Sequence, residues 1–398
     1  MTTAATDLTT FIADRLVSRN AVSRALFERE AARLAGCCQE MAARFLRGGR
    51  LLAFGRGACA TDAQHVSVEF VHPVIVGKRA LPALDLSTAF ETWLPAIVTD
   101  DDIVMGFSPP GGDPSVARAL NEADARGALT IGLPGAVGRF ALDPPSTDRF
   151  VCQELIEVLY HTLWETVHVF FEHRPRGHRD VGASAFLYPF LGESSPDASS
   201  LVGDVADSIS AKARDDERLR EEVARDQSPR VAEAVRAAGA RLEAGATMFV
   251  FGNGGSATDA NDWAIDCVTP PDGAPSIRAV SLSIEPASIS AIANDIGREA
   301  IFVRQLIAHG RRGDVAVAIS TSGGSTNVMA ALDEARKRGM LTIALLGYDG
   351  GEIVRRGLAD LAIVVRCDYI PRIQEVQAST YHVMIEAWRC RLAQGGRA

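Results

Sequence analysis

Apolar positions along the chain alternate between two periods. Over residues 20–47, and again over 217–244, Ala, Leu and Val recur at helical spacing with many Arg and Glu between them. That pattern predicts two amphipathic helices, each burying one stripe. Gly48-Gly49 and Gly245 stop them. Short apolar runs follow at Leu51–Phe54, Met248–Phe251, Ile277–Leu282, Val315–Ile319, Leu341–Leu345 and Leu361–Val365, most ending at Gly, Ser or Asp. Runs of this length, bounded by turns and separated by helices, predict strands of a parallel sheet buried on both faces. The expected class is α/β, a doubly wound three-layer sandwich with flavodoxin-like topology.

The plan occurs twice. Leu52-Ala-Phe-Gly-Arg-Gly-Ala-Cys-Ala-Thr-Asp-Ala63 mirrors Phe249-Val-Phe-Gly-Asn-Gly-Gly-Ser-Ala-Thr-Asp-Ala260. Asp102-Ile-Val-Met-Gly-Phe-Ser108 mirrors Asp314-Val-Ala-Val-Ala-Ile-Ser320, and Gln153-Glu154 mirrors Gln374-Glu375, each Gln followed two turns later by His161 or His382. Self-similarity of this kind marks a tandem duplication. The spacing between matched motifs grows along the chain, so the first copy is the trimmed one; it lacks a counterpart of Ala293-Asn-Asp-Ile-Gly297. The expected domains are residues 1–175 and 201–398. Between them, 176–200 is a linker rich in Pro, Gly and Ser, with an apolar patch, Phe186–Leu191, expected to pack on a domain surface.

A length of 398 residues suits two domains with ordinary cores. The net charge of −9 argues against a nucleic-acid partner, which clustered Lys and Arg would serve. No basic, apolar leader opens the chain and no apolar run reaches about 18 residues, so neither secretion nor a membrane span is expected. Seven cysteines without a CxxC pair suggest reduced thiols used as small apolar residues in a cytoplasmic protein. His72, His168, His173, His178 and His309 sit in no motif and read as structural, and Asp215-Asp-Glu217 reads as a solvated helix start.

Ligands of open parallel sheets bind beyond the carboxyl ends of the strands. Two loops of the second copy are expected there. Gly252-Asn253-Gly254-Gly255-Ser256-Ala257 runs from a strand into a helix, where glycines admit an anion close to backbone N–H groups. Ser320-Thr321-Ser322-Gly-Gly-Ser325 precedes a helix expected to begin near Asn327, and its hydroxyls suit a phosphate monoester. The first loop also satisfies the loose GxGxxA dinucleotide pattern. That alternative needs an acidic residue ending the next strand, and Asp272 lies instead in a Pro-rich turn, so no nucleotide cofactor is expected. Structural turns without a ligand are the plainer alternative.

Four motifs in order, Phe251-Gly-Asn-Gly-Gly-Ser-Ala-Thr-Asp-Ala260, Ala293–Gly297, Ser320–Ser325 and Arg372-Ile-Gln-Glu375 with His382, resemble the bacterial phosphoheptose isomerases of the sugar isomerase (SIS) superfamily. The resemblance covers nearly all of 205–398 and, more patchily, 7–173. It implies two tandem SIS domains and an aldose–ketose isomerase acting on sedoheptulose 7-phosphate or a related heptose phosphate. It further implies that Asn253, Gly254, Gly255, Ser256, Ser320, Thr321, Ser322, Ser325 and Gln374 line the phosphosugar site and that Asp295 meets sugar hydroxyls. Some family members hold zinc through His, Glu, Gln and His. The first copy keeps that set as His65, Glu69, Gln153 and His161, with His65 and Glu69 on one helix face. The second copy keeps Gln374 and His382 but has Asp262 and Asp266 at the other two positions. Asp262 suits a hard cation better than zinc; the alternative for both aspartates is a solvated helix face.

The phosphate loops show the reverse. The first copy has Arg56, Ala58 and Cys59 where the second has Asn253, Gly255 and Ser256, and Ser108-Pro-Pro-Gly-Gly-Asp113 where the second has its hydroxyls. Residues eight apart on a helix are separated by about 12 Å and 80°, so Gln153 and His161 are not expected to grip one ion unaided. The expectation is a composite site, with the pocket from the second copy and the base or metal ligands from the first; Glu69, or alternatively Asp266, is expected as the base, and His161 or His382 as acid or metal ligand. Family members are tetramers, so the resemblance implies a homodimer forming a pseudo-tetramer. The rival is a non-catalytic sugar-phosphate sensor, favoured by Asp262 and Asp266, and a purely structural assembly protein is a third.

Overall fold

The computed structural model describes residues 7–73, 78–135, 137–172, 198–271 and 274–395. The Phe186–Leu191 patch, nearly all of the expected linker, Asp272, His173 and His178 lie outside the described residues. The chain forms two compact units: Asn20–Asp215, holding the first copy, and Met1–Arg19 with Asp216–Ala398, holding the second.

Both long helices exceed their expected limits. Helix α1 spans Leu8–Arg47, because Ile12 and Leu16 extend the buried stripe backwards. In the first-copy unit there follow β1 (Leu51–Gly55), α2 (Cys59–Val71), β2 (Ala83–Asp85), α3 (Phe90–Ile97), β3 (Ile103–Phe107), α4 (Pro114–Ala125), β4 (Leu129–Leu133), β5 (Phe140–Ala141) and α5 (Arg149–Glu172). Its sheet is parallel in the order β2-β1-β3-β4-β5. Leu51–Gly55 pairs in register with Ile103–Phe107, which pairs in turn with Leu129–Leu133. Every residue of β1, β3 and β4 is buried, as strands covered on both faces require.

Helix α6 spans Ala198–Glu243. Asp215-Asp-Glu217 therefore sits in mid-helix, and the expectation of a solvated helix start is corrected. Asp216 and Glu217 are buried, and Asp216 pairs with Arg220 one turn on, whose Nε donates to Ser379 Oγ at 3.1 Å. Then come β6 (Met248–Phe251), α7 (Gly255–Val268), β7 (Ala279–Ser281), α8 (Pro286–Asp295), a short 3-10 turn, α9 (Ile301–His309), β8 (Val315–Ser320), α10 (Thr326–Lys337), β9 (Leu341–Leu346), α11 (Gly351–Arg355), β10 (Leu361–Val364) and α12 (Ile370–Gly395). The sheet order β10-β9-β8-β6-β7 is that of the first copy, and all of its pairings are parallel.

The duplication extends to single hydrogen bonds. Asp102 accepts from the N–H of Arg50 and of Thr99, both at 2.9 Å. Asp314, its counterpart, accepts from Thr247 at 2.9 Å and Arg311 at 2.8 Å. In each unit a buried carboxylate thus ties the start of the first strand to the turn before the third. Ser87 Oγ takes the N–H of Gly55 at 3.1 Å, and Ser283 Oγ that of Gly252 at 3.4 Å. The last helix of each unit is almost wholly buried; in the second copy Trp263 of α7 stacks on Tyr381 and Trp388 of α12.

Candidate functional site

In this strand order the switch point falls where the first and third strands of each copy diverge. Both candidate loops of the second copy sit there, one after β6 and one after β8. Gly252 turns so tightly that a Cβ would collide with the carbonyl of Ser256. Gly254, at φ +58°, precedes α7 as a cap without a side-chain bond. Opposite, Ser325 precedes α10 and makes no side-chain cap bond either. Within that loop Ser320 Oγ accepts from Gly323 N at 3.1 Å and Ser322 Oγ from Gly324 N at 3.3 Å. Gly323, at φ +60°, lies against the carbonyl of Gly350. Thr321 and Ser325 are half-buried, and Ser322 and Asn253 are exposed. Two helix N-termini therefore face one cleft, with hydroxyls around them.

The two loops are tied across the cleft by a residue the sequence reading did not single out. Asn253 Nδ2 donates to Asn327 Oδ1 at 3.0 Å, and Asn327 Nδ2 returns a bond to Asn253 Oδ1 at 2.8 Å. The repeat register held the clue, since Arg56 and Ser115 occupy the matching places and also meet, at 2.7 Å. Asp295, at the end of α8, is exposed and accepts from Asn294 Nδ2 at 2.8 Å.

Each unit also assembles its own histidine–carboxylate cluster. In the first copy His161 Nε2 lies 3.4 Å from His65 Nε2, and His65 Nε2 lies 3.9 Å from Glu69 Oε1. All three are buried, with ligating atoms within 4.8 Å of one another. His161 thus reaches His65 and Glu69 within a single unit, where the spacing argument looked to a neighbour. The reason is that α2 and α5 pack side by side, so only one residue of the Gln153/His161 pair needs to face the cluster. Gln153 Nε2 meets Asp62 Oδ2 at 3.5 Å, one turn before His65.

In the second copy His382 Nε2 lies 3.4 Å from Asp262 Oδ2 and 3.2 Å from Asp266 Oδ2. Tyr381 donates its hydroxyl to Asp262 Oδ2 at 2.7 Å, and Arg389 donates to the carbonyl of Asp266. Asp262 and Asp266 are buried, which removes the solvated-face alternative for both. Gln374 is buried near the start of α12.

His168 bonds the carbonyls of Trp164 and Arg79 at 2.8 and 3.0 Å. All seven cysteines are free thiols. Burial pushes Cys152 up to about 11, helped by Asp148 and Asp143, and pushes Cys37 and Cys267 well above the usual thiol range. None of these three is a thiolate nucleophile near neutral pH.

Two tandem flavodoxin-order sheets, with glycine-opened, hydroxyl-rich loops at the switch point, define a pair of SIS-type α/β domains. A SIS domain model matches residues 213–347. The C-terminal domain of glucosamine-fructose-6-phosphate aminotransferase from Francisella tularensis shares the fold, with a TM-score of 0.62 over 97% of this chain and 98% of that one, at 9% identity. The phosphoheptose isomerase of Geobacter sulfurreducens is 40% identical over 190 residues, 47% of this chain and 98% of the relative. That of Pelodictyon phaeoclathratiforme is 39% identical over 172 residues, 42% of this chain and 81% of the relative. The chain belongs to the phosphoheptose isomerase family.

Proposed function

We propose that the chain binds a sugar phosphate at the second-copy loops and interconverts its aldose and ketose forms, a heptose phosphate such as sedoheptulose 7-phosphate being the favoured substrate. What carries the reading is that one unit holds both a pair of helix N-termini whose cap residues, Gly254 and Ser325, make no side-chain cap bond, and a buried histidine–carboxylate cluster on the helices beside them. The helix N-termini at Gly255 and Thr326 and the hydroxyls of Ser256, Ser320, Thr321, Ser322 and Ser325 would hold the phosphate dianion. Asp266 would take the proton from the carbon next to the carbonyl and return it to the adjacent carbon. His382, whose Nε2 lies 3.4 Å from Asp262 Oδ2 and 3.2 Å from Asp266 Oδ2, would hold the proton exchanged with the carbonyl oxygen.

The family's zinc, where bound, polarises a carbonyl. The two imidazoles and one carboxylate of His65, His161 and Glu69 fit such an ion, whereas Asp262, standing in place of an imidazole, fits it less well.

The test is conversion of sedoheptulose 7-phosphate followed by NMR, with binding measured separately. Ser320→Ala with Ser325→Ala should lose both binding and turnover, and Asp266→Asn turnover alone. Glu69→Gln, measured in parallel, reports whether the first-copy cluster contributes the base. The rival, a sensor that binds without turnover, is favoured by one observation, the replacement of the family's histidine and glutamate by Asp262 and Asp266. Tight binding with no isomerisation by the unaltered chain would select it.

A further inference from the structure

The two copies carry the same cleft, and they treat it in opposite ways. In the second copy the residue preceding α10 is Ser325, and its side chain makes no bond to the helix N-terminus. In the first copy the corresponding residue before α4 is Asp113, whose Oδ1 accepts from Ser115 N at 2.8 Å and Val116 N at 3.1 Å, and from Ser115 Oγ as well. A carboxylate oxygen therefore already occupies the free N–H groups that would receive a phosphate oxygen. Hydrogen bonds from the Ser115 hydroxyl, then from the Val116 and Ser115 N–H groups, hold Asp113 below the usual carboxyl range despite some desolvation. It is an anion at neutral pH.

The neighbouring cation is committed too. Arg56, the one basic residue of the first loop, donates to Ser115 Oγ and to Glu91 Oε2, each at 2.7 Å, and its guanidinium lies 5.1 Å from the Phe90 ring centre. In the second copy the matching residues form the neutral Asn253–Asn327 pair, which ties the loops together without placing a charge between them. Pro109 and Pro110, in place of Thr321 and Ser322, remove two further N–H donors.

We propose that Asp113 is the specificity-determining residue of the first copy: a built-in anion that occupies the phosphate position, so that the chain takes up one sugar phosphate, in the second copy, and not two. The proposal rests on the reading of the second-copy loops as the phosphate cradle. A second phosphate in the first copy would stand beside an existing carboxylate on the same helix N-terminus. Like charges so placed repel, and helix donors serve one anion at a time.

The test is calorimetric titration of the full chain with sedoheptulose 7-phosphate, comparing two loop variants whose folding is checked by melting temperature. Pro109→Thr with Pro110→Ser restores the second-copy loop chemistry but leaves Asp113 in place. Adding Asp113→Ser gives the full second-copy loop pattern, with the residue type that precedes α10 without a side-chain cap bond. The unaltered chain and the double variant should each bind one equivalent, and the triple variant one more, with the new site at least about tenfold tighter than any residual uptake by the double variant there. Should the triple variant fail to fold, Asp113→Asn on the double background removes the charge alone and should give the same gain. Two equivalents bound by the unaltered chain, or no gain in the folded triple variant, would overturn the inference. Loss of all binding by the unaltered chain with one equivalent gained by the triple variant would instead sink the second-copy reading and leave Asp113 in its role.

Discussion

Asp266 and His382 show how little a residue's identity says without its surroundings. As letters, an aspartate where the family has glutamate reads as damage; as atoms, Asp266 lies 3.2 Å from His382 Nε2 in a buried setting. Replacing Asp266 with Asn should lower the turnover number by roughly 10²- to 10⁴-fold, the range for a general base, with binding of the sugar phosphate unchanged. Replacing Asn327 with Ala leaves Asn253 without its partner across the cleft. A net loss of about 1 kcal/mol should appear as several-fold weaker binding of sugar phosphate, with the melting temperature nearly unmoved.

At the level of elements, the buried aspartate that precedes each third strand is a joint whose failure can be predicted with sign. Burial pushes Asp102 up, but the Arg50 guanidinium and the N–H groups of Thr99 and Arg50 outweigh it and leave the group below its ordinary range. A carboxyl depressed by folding stabilises the fold above its unfolded value, about 3.9. That contribution is lost as pH falls from there through the folded value. Asp102→Ala should cost about 1–3 kcal/mol at neutral pH, the penalty for stranding a buried donor, and chemical denaturation should find it more sensitive than an exposed aspartate. In α6, Asp216→Ala would remove a carboxylate that pairs with the buried Arg220, and a lower midpoint of chemical denaturation should follow. The strands themselves were legible, since Met248–Phe251 and Leu341–Leu346 follow their apolar runs to within a residue. The starts of α1 and α6 were not, because Ile12, Leu16, Val205 and Ile209 continue the buried stripe before residues 20 and 217.

For the whole molecule, two units with different loops should respond differently to one ligand. Sugar phosphate at a hundred times its dissociation constant stabilises the unit that binds it by about 2.7 kcal/mol. If the units melt separately, hydrogen exchange should slow in α7 and α10 of the second copy, with no matching change in α2 and α4. Equal protection of both copies would contradict a single phosphate site. Among the described residues no helix is long and apolar enough to cross a membrane.

The order of apolar runs, the stop signals and the internal repeat determined the sheet class, the duplication and the place of the two candidate loops, because each depends on local period, on glycine and on hydroxyl chemistry that neighbouring residues carry together. Only the tertiary structure decided which side chains meet. It joined His161 to His65 and Glu69 within one unit, buried Asp262 and Asp266 against His382, and set Asp113 on the N–H groups of Ser115 and Val116, at a place where Ser325 of the second copy makes no side-chain cap bond. Contacts between side chains on different helices depend on rotation and packing distance, and neither quantity is written in the spacing of any one segment.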